Sequence, residues 1–291
     1  MSDNLIGIFW AFGTSVLAAL QVVILSRPLK KIGHLSATIL TNIVNLCILS
    51  IIGVITYKTG QLTIEGLVWF GILGFVAYSL GRYVFYRSLW ILGPPRLTTI
   101  VSTAPFYGIF LGYIFLDERP GGILLTGTIL LVFGVALVSY EPSEKNFLQK
   151  GVSWAFFSAF LIGLSVFMRK KGLASMPNPA LTVAWSNLIG LTTLFGMRPF
   201  LSKDLYRWAG FGTVLLVIIA AVLNSISQLC MNLSVMYGEL SVVTPIITSS
   251  PIFSLFFTAI FLRSFERIHF AMVLGVFITV FGMAFITFSQ H

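Results

Sequence analysis

The sequence predicts an all-α membrane protein in which ten transmembrane helices form two inverted five-helix repeats. Three observations predict this fold. Hydrophobic residues make up 57% of the 291-residue chain and charged residues only 9%, whereas a soluble domain carries about a quarter charged residues. Ten apolar stretches are each long enough to cross a hydrocarbon core of about 30 Å. The second half of the chain also repeats the pattern of the first.

Each apolar stretch contains roughly 20 residues and lacks the alternating polarity of a transmembrane β-strand. The predicted spans are residues 5–25, 35–57, 67–88, 95–116, 122–140, 151–169, 179–197, 211–237, 239–262 and 268–288. Short connections rich in Pro, Gly or charge separate them, among them Ser26-Arg27-Pro28, Lys58-Thr59-Gly60, Gly93-Pro94-Pro95, Asp117-Glu118-Arg119-Pro120, Glu141-Pro142 and Met176-Pro177-Asn178-Pro179.

The internal repeat is clearest between the fourth and ninth spans. The stretch from Pro105 to Leu116 matches that from Pro251 to Leu262 at an offset of 146 residues. Because each copy holds an odd number of spans, the second copy must enter the membrane from the opposite face, as in many secondary transporters. We therefore predict two domains, residues 1–146 and 147–291.

The first copy contains a set of short motifs, namely Tyr86-Arg87-Ser88-Leu89, Pro105, Phe115-Leu116-Asp117-Glu118-Arg119, Gly127 and Gly134-Val135. In these motifs it resembles the EamA-type repeat of the drug/metabolite transporter superfamily. Asp117 stands where the family often has Gly, and the second copy has a longer turn at 262–267. The resemblance implies two inverted five-helix halves, a central cavity lined by the first four helices of each half, and transport of small metabolites.

Two matching polar stripes lie in the third and eighth spans. Tyr78, Arg82 and Tyr86 are four residues apart and share one helix face. Asn224, Gln228 and Asn232 do the same, and the offset of 146 maps one triplet onto the other. Polar groups in spans face a wet cavity or bond helices together. We predict that both stripes bind substrate, with helix–helix bonding as the alternative.

Arg82 decides between these interpretations, because hydrocarbon tolerates its charge poorly. It has three possible environments: the near headgroups, reached by snorkelling; backbone carbonyls freed by Pro105 or Pro251; or a watery cavity, where it receives an anionic group of the substrate. We favour the third. Asn42 and Trp185 are further predicted substrate ligands, and Pro105, Pro245 and Pro251 are predicted helix breaks that act as hinges or as static kinks.

The acidic residues favour facilitated diffusion or exchange over proton coupling. All nine fall at span ends or in loops, whereas proton-driven carriers usually need a buried titratable group. The sequence shows no nucleotide-binding loop and no clustered metal ligands or nucleophile–base pair, so we expect no cofactor, no metal and no enzymatic activity. The excess of basic residues, 18 against 9 acidic ones, indicates contact with membrane lipids rather than nucleic acid.

The sequence thus predicts a secondary transporter that moves a small polar or amphiphilic metabolite, such as an amino acid, sugar or phosphate ester of anionic or zwitterionic character, by alternating access. A lipid or lipid-linked-sugar translocator is one alternative, and a non-transporting membrane scaffold or sensor is another. We expect a multi-pass protein of the cell (cytoplasmic) membrane, with an organelle membrane as the alternative. The oligomeric state stays open.

Basic loops and family resemblance give opposite orientations. Loops after odd-numbered spans are the more basic ones, and loops after even-numbered spans are assigned Lys58, Arg119 and Arg169-Lys170-Lys171. The positive-inside rule then places both termini outside, whereas the resemblance places both inside. Either way the termini share one side of the membrane.

Overall fold

The computed structural model describes residues 3–92, 97, 100–101, 103–138, 151–196 and 209–261, together with 274–275, 277–279, 281–282 and 285–286. Every regular element in these ranges is helical. The helices are α1 Asp3–Ile32, α2 His34–Ile55, α3 Ile64–Leu92, α4 Ala104–Phe115, α5 Gly122–Val138, α6 Val152–Ser175, α7 Pro179–Gly196, α8 Phe211–Tyr237, α9 Leu240–Ile247 and α10 Ser250–Phe261.

Five helices of the described part are long and apolar enough to cross a membrane, namely α1, α2, α3, α6 and α8. They coincide with the first, second, third, sixth and eighth predicted spans. Apolar but shorter helices occupy the fourth, fifth and ninth spans. The tenth span lies largely outside the described residues, as does the predicted domain boundary at 146. The all-helical prediction is therefore confirmed, while the number of spans is not.

Two predicted connections are wrong. Pro28 lies inside α1, because proline is compatible with helical φ and removes only one backbone hydrogen bond; the chain turns instead at Gly33, where φ is +83°. Arg169, Lys170 and Lys171 lie inside α6, which continues to Ser175. The helix ends only before Pro177, so this basic cluster is not in a loop.

The packing between the two halves of the chain is reciprocal. The most extensive contact joins α1, the first helix of the N-terminal half, to α8, the third long helix of the C-terminal half. Conversely, α3 of the N-terminal half packs against α6 of the C-terminal half, and α2 packs against α7. Glycines allow this close approach; a Cβ at Gly7 would lie 2.7 Å from the Gly238 backbone. Small residues at such contacts are typical of helix packing in membranes.

Large apolar side chains cover the outside of the described bundle. Ile64 is 82% exposed, Phe211 is 84% exposed, and many Phe and Ile residues on other helices are more than half exposed. A soluble surface does not carry so much contiguous apolar area, so lipid must cover these faces. The polar side chains Arg82, Asn42, Asn187 and Arg169 are in contrast buried inside.

Candidate substrate cavity

A cavity of about 200 Å³ opens between the two halves of the chain, far larger than the roughly 10–15 Å³ that one water molecule needs. Its wall combines apolar side chains with a polar set. The polar set comes from α1, α3, α6, α8, the turn before α10 and the first residue of α10: Thr14, Gln21, Tyr78, Arg82, Tyr86, Ser165, Arg169, Asn224, Ser227, Gln228, Thr248 and Ser250. None of the described residues that line the cavity is acidic.

The first polar stripe faces this cavity from α3. Tyr78, Arg82 and Tyr86 all line it, and all three are buried. Tyr78 belongs to a π-helical segment, Gly74–Gly81, within α3; such segments occur frequently at functional sites. The Tyr78 carbonyl accepts a hydrogen bond from Asn42 Nδ2 at 2.9 Å, so a side chain of α2 supports the irregular turn.

The guanidinium of Arg82 donates hydrogen bonds to the side-chain amide oxygens of three asparagines. Its Nη2 donates to Asn224 Oδ1 at 2.9 Å, and its Nη1 donates to Asn42 Oδ1 and, at 3.5 Å, to Asn187 Oδ1. The guanidinium carbon also lies 5.0 Å from the centre of the Tyr78 ring. Arg82 is only 7% exposed, so it neither snorkels nor binds backbone carbonyls in the described structure; it lines the cavity.

The second stripe faces the first across the cavity. Tyr78 donates to Gln228 Oε1 at 3.0 Å, and Arg82 donates to Asn224. In the repeat register Tyr78 is equivalent to Asn224 and Arg82 to Gln228. The repeat relation therefore exchanges the two hydrogen bonds between the halves: the Tyr78–Gln228 bond corresponds to the Arg82–Asn224 bond. Asn232 is buried behind the cavity wall, where its Nδ2 donates to Pro179 O at 2.9 Å.

Arg169 is the main site residue that the sequence analysis missed. It is 2% exposed and lines the cavity from α6. Its Nη2 donates to the Tyr78 hydroxyl at 2.6 Å and to Gln228 Oε1 at 2.5 Å, and its Nη1 donates to Asn232 Oδ1. The signal was present, because the next helix breaker, Pro177, comes eight residues later and leaves Arg169 inside the helix.

Gln21 of α1 links the polar residues at the other side of the cavity. Its Nε2 donates to the Tyr86 hydroxyl at 3.1 Å, and its Oε1 accepts from Asn224 Nδ2 at 2.9 Å. Each stripe thus ends on the first helix of its own half of the chain: Tyr86 bonds to Gln21 on α1, and Asn232 bonds to Arg169 on α6.

Two further candidates lie away from the cavity surface. Asn42 stands behind Arg82 and bonds to it, without lining the cavity. Trp185 donates from Nε1 to the Leu67 carbonyl at 3.0 Å and ties α7 to α3; it does not line the cavity either. Asn42 thus supports Arg82 and Trp185 joins two helices in this structure, while their role as substrate ligands stays a prediction.

The predicted prolines mark two interruptions next to the cavity. The chain makes a turn at Thr103 before α4, in which Pro105 occupies the first turn. In the C-terminal half the turn falls at Thr248 and Ser249, between α9, which contains Pro245, and α10, in which Pro251 is the second residue. Thr103 and Ser249 are equivalent at the offset of 146. Thr248 and Ser250 line the cavity.

The acidic residues of the described part lie away from the cavity wall. Glu118 follows α4 and accepts two hydrogen bonds, from Leu240 N at 2.9 Å and Ser241 N at 3.0 Å. It therefore caps the amino end of α9 from the other half of the chain. No group of three or more His, Cys, Asp or Glu residues suited to a metal ion occurs among the described residues.

Comparison with known proteins decides the family. The EamA-like transporter family matches the chain twice, over residues 5–140 and 149–288. The chain belongs to the EamA-like transporter family. This family is part of the drug/metabolite transporter superfamily, so the protein is a multi-pass membrane transporter with two repeated halves. The EamA resemblance that the sequence carries is thereby confirmed.

A solved structure gives independent support for the fold of this EamA-like transporter. The structure is titled "Crystal structure of protein" and superposes with a TM-score of 0.77 over 99% of this chain and 96% of that chain. The two sequences are 13% identical, so the likeness concerns the fold alone. No curated protein matches the chain.

Proposed function

We propose that this EamA-like transporter moves a small anionic or zwitterionic metabolite through the cavity that its two halves enclose. One observation carries the proposal: Arg82, a buried cation, lines a cavity whose described lining contains no acid. A guanidinium recognises carboxylate and phosphate groups through its planar fork. The substrate ligands in this proposal are Arg82, Tyr78, Tyr86, Asn224 and Gln228, with Asn42 and Asn232 as supports.

The proposed architecture has ten spans in two inverted halves, residues 1–146 and 147–291. The reciprocal packing of α1 with α8 and of α3 with α6 supports it, because a two-fold relation between halves pairs the first helix of each with the third of the other. Ten spans require both termini on one face. Reporter fusions that locate Met1 and His291 on opposite faces would exclude this count.

Alternating access is the proposed mechanism, and a cluster of contacts between the halves at one end of the bundle supports it. Besides the two bonds of Glu118, Thr63 Oγ1 donates to the Ser175 carbonyl at 2.9 Å across the halves. We name the contacts of Glu118 and Thr63 the end clasp. Within the C-terminal half, Lys170 Nζ donates to the Gly238 carbonyl at 2.6 Å beside it. In this proposal the clasp closes one exit of the cavity and opens once per transport cycle.

Flux measurements test the function directly. Proteoliposomes containing the purified protein are assayed for counterflow of labelled benzoate, leucine and glycerol 3-phosphate. We expect flux of at least one of these probes, loss of that flux in Arg82→Gln, and partial recovery in Arg82→Lys, because a point charge does not reproduce the bidentate fork. Arg87→Gln is the control, since Arg87 lies on the same helix but stacks on Trp154 outside the cavity.

The same proteoliposomes distinguish a metabolite transporter from a lipid translocator and from a scaffold or sensor. A labelled phospholipid that changes leaflet only in the presence of the protein would favour a lipid translocator. Absence of both flux and lipid movement in a folded, reconstituted protein would favour a scaffold or sensor. Flux that persists unchanged in Arg82→Gln would contradict the proposed substrate site.

A further inference from the structure

We propose that Arg82 and Arg169 together form one receptor for a doubly negative group, so that the substrate is a small amphiphile with a dianionic head. This inference rests on the proposed function and deepens it, because it assigns Arg169 to the site and fixes the charge of the ligand. It follows from the geometry around Tyr78, from the charges in the cavity and from an unpartnered donor.

Tyr78 stands between the two cations. The guanidinium carbon of Arg82 lies 5.0 Å from the centre of the Tyr78 ring and that of Arg169 lies 5.6 Å from it. The two charges come from different halves of the chain, on α3 and α6, and both line the same cavity. One ligand in this cavity can therefore contact both.

Nothing in the described surroundings neutralises these charges. All hydrogen-bond acceptors of the two guanidiniums are amide oxygens of Asn or Gln or the hydroxyl of Tyr78. Such partners satisfy the geometry of the N–H groups but leave two positive charges in a space of low dielectric, which is costly. One dianion compensates both charges at once, whereas a zwitterion or monoanion leaves a net positive charge.

The hydrogen bonding of Arg169 is also incomplete. Its Nε is buried and has no partner, although an arginine offers five N–H donors and buried donors in native proteins are nearly always paired. Ser165, four residues earlier on α6, and Ser227 and Thr248 place hydroxyl groups on the same cavity wall. Each of these hydroxyls already donates to a backbone carbonyl, so it has to exchange that bond to reach a ligand. The donor without a partner is Arg169 Nε.

The rest of the cavity wall is apolar, which indicates that the part of the ligand opposite the charged head is apolar too. Phe85, Val101, Leu161, Ile162 and Ile247 line the cavity beside the two cations. An apolar body of a few carbon atoms displaces water from this surface favourably. A phosphate monoester or a dicarboxylate with a short hydrocarbon chain combines both features.

A matched pair of probes tests the charge. Butyl phosphate and butyl sulfate have nearly the same shape, but at about pH 8 the phosphate carries close to two charges and the sulfate one. Butylmalonate is a third probe, in which the two negative charges come from two carboxylates instead of a phosphate. Dissociation constants are measured by thermal shift of the full-length protein in detergent, since a ligand that binds the folded state raises its stability. We expect butyl phosphate or butylmalonate to bind at least about tenfold more tightly than butyl sulfate.

Lowering the pH removes the second charge of the phosphate. Its second pKa is about 6, so at about pH 5 butyl phosphate is a monoanion like butyl sulfate, while both arginines stay charged. We expect the preference for the phosphate to disappear at about pH 5 and the affinity for butyl sulfate to stay the same. Equal affinities of the three probes at about pH 8 would overturn the inference, and this arm needs no variant.

The variants assign the residues. Arg82→Gln and Arg169→Gln should each abolish the preference for the dianion, and Arg87→Gln should keep it. A preference that survives in Arg169→Gln would overturn the role of Arg169; if that variant does not fold, Arg169→Met, which also removes the charge, takes its place. Tight dianion binding without any flux would refute the transport function and leave the receptor standing. Flux of leucine that butyl phosphate fails to inhibit would refute the receptor and leave transport standing.

Discussion

The hydroxyl of Tyr78 donates to Gln228 Oε1 at 3.0 Å, which joins the third helix of the N-terminal half to the third long helix of the C-terminal half. The same oxygen of Gln228 accepts from Arg169, and the same hydroxyl accepts from Arg169 Nη2. The Tyr78 hydroxyl, Gln228 Oε1 and Arg169 Nη2, from three different helices, are thus all hydrogen-bonded to one another. Movement of one half against the other has to change this arrangement, which couples the cavity to the relative position of the halves.

Tyr78→Phe tests this coupling with the smallest possible change. The ring stays in place beside both guanidiniums, but Arg169 and Gln228 each lose a partner. Arg169 Nη2 and Gln228 Oε1 stay bonded to each other, so the change removes two hydrogen bonds without leaving either atom unpaired. Loss of a hydrogen bond to a charged group costs about 1.5–3 kcal/mol, or roughly 10- to 150-fold in an equilibrium or rate. We expect counterflow to fall by a factor in this range while the protein still elutes as a monodisperse species. Tyr113→Phe is the control, because Tyr113 is 60% exposed on the outer face.

The sequence was sufficient to place each polar stripe on one helix face because the spacing is local, while the role of the stripes in substrate binding stays a prediction. A period of four residues places Tyr78, Arg82 and Tyr86 on one face whatever the helix packs against, and the repeat register identified the matching stripe. The partners of Arg82 were not predictable in the same way. Asn42, Asn187 and Asn224 come from three helices, and contacts between helices depend on packing that residue spacing does not encode.

Arg169 shows a second limit. A basic cluster at the end of an apolar run is usually a membrane-boundary signal, and the prediction ended the sixth span there. The apolar run ends at the basic cluster, but the helix continues to Ser175 because no proline interrupts it before Pro177. The π-helical segment of α3 had no signal in the sequence either, since it changes the backbone hydrogen bonding without requiring a special residue pattern.

Gly190→Ala tests how tightly Tyr78 is positioned. A Cβ at Gly190 would lie 2.8 Å from the Tyr78 Cβ and 3.2 Å from the Gly74 carbonyl oxygen, so α7 and α3 have to separate. Overpacking of this kind costs about 1–3 kcal/mol. We expect a lower melting temperature in detergent and reduced counterflow. Gly196→Ala on the same helix should change neither, because nothing lies within 4 Å of a Cβ there; equal effects of the two variants would contradict the close-packing argument.

Glu118→Gln tests the end clasp. A glutamine side chain accepts from only one of the two backbone N–H groups of α9 and loses the charge-assisted part of both bonds. The loss is about 1.5–3 kcal/mol for a bond to a charged group, which favours opening of this end. Lys170 also loses its electrostatic attraction to Glu118.

A single cysteine reports the opening of the clasp. Met176 at the same end is fully buried, so Met176→Cys in a background without Cys47 and Cys230 should react slowly with a membrane-impermeant maleimide. We expect Glu118→Gln to raise the labelling rate about tenfold or more. Glu65→Gln serves as control, because Glu65 is exposed in the first turn of α3 at this end. An unchanged rate in Glu118→Gln would show that this contact does not hold the end closed.

Energy coupling gives the last prediction. None of the described residues that line the cavity is acidic, and both carboxylate oxygens of Glu118 are occupied by backbone N–H groups. We therefore expect exchange of labelled probe between the two sides of a proteoliposome to continue at the same rate when an ionophore collapses an imposed proton gradient, as it does in vesicles prepared with equal internal and external pH. If exchange stops when the gradient is collapsed, the transporter is proton-coupled. Glu118→Gln then tests whether Glu118 is the proton site. If it is, exchange by the variant should no longer depend on the gradient.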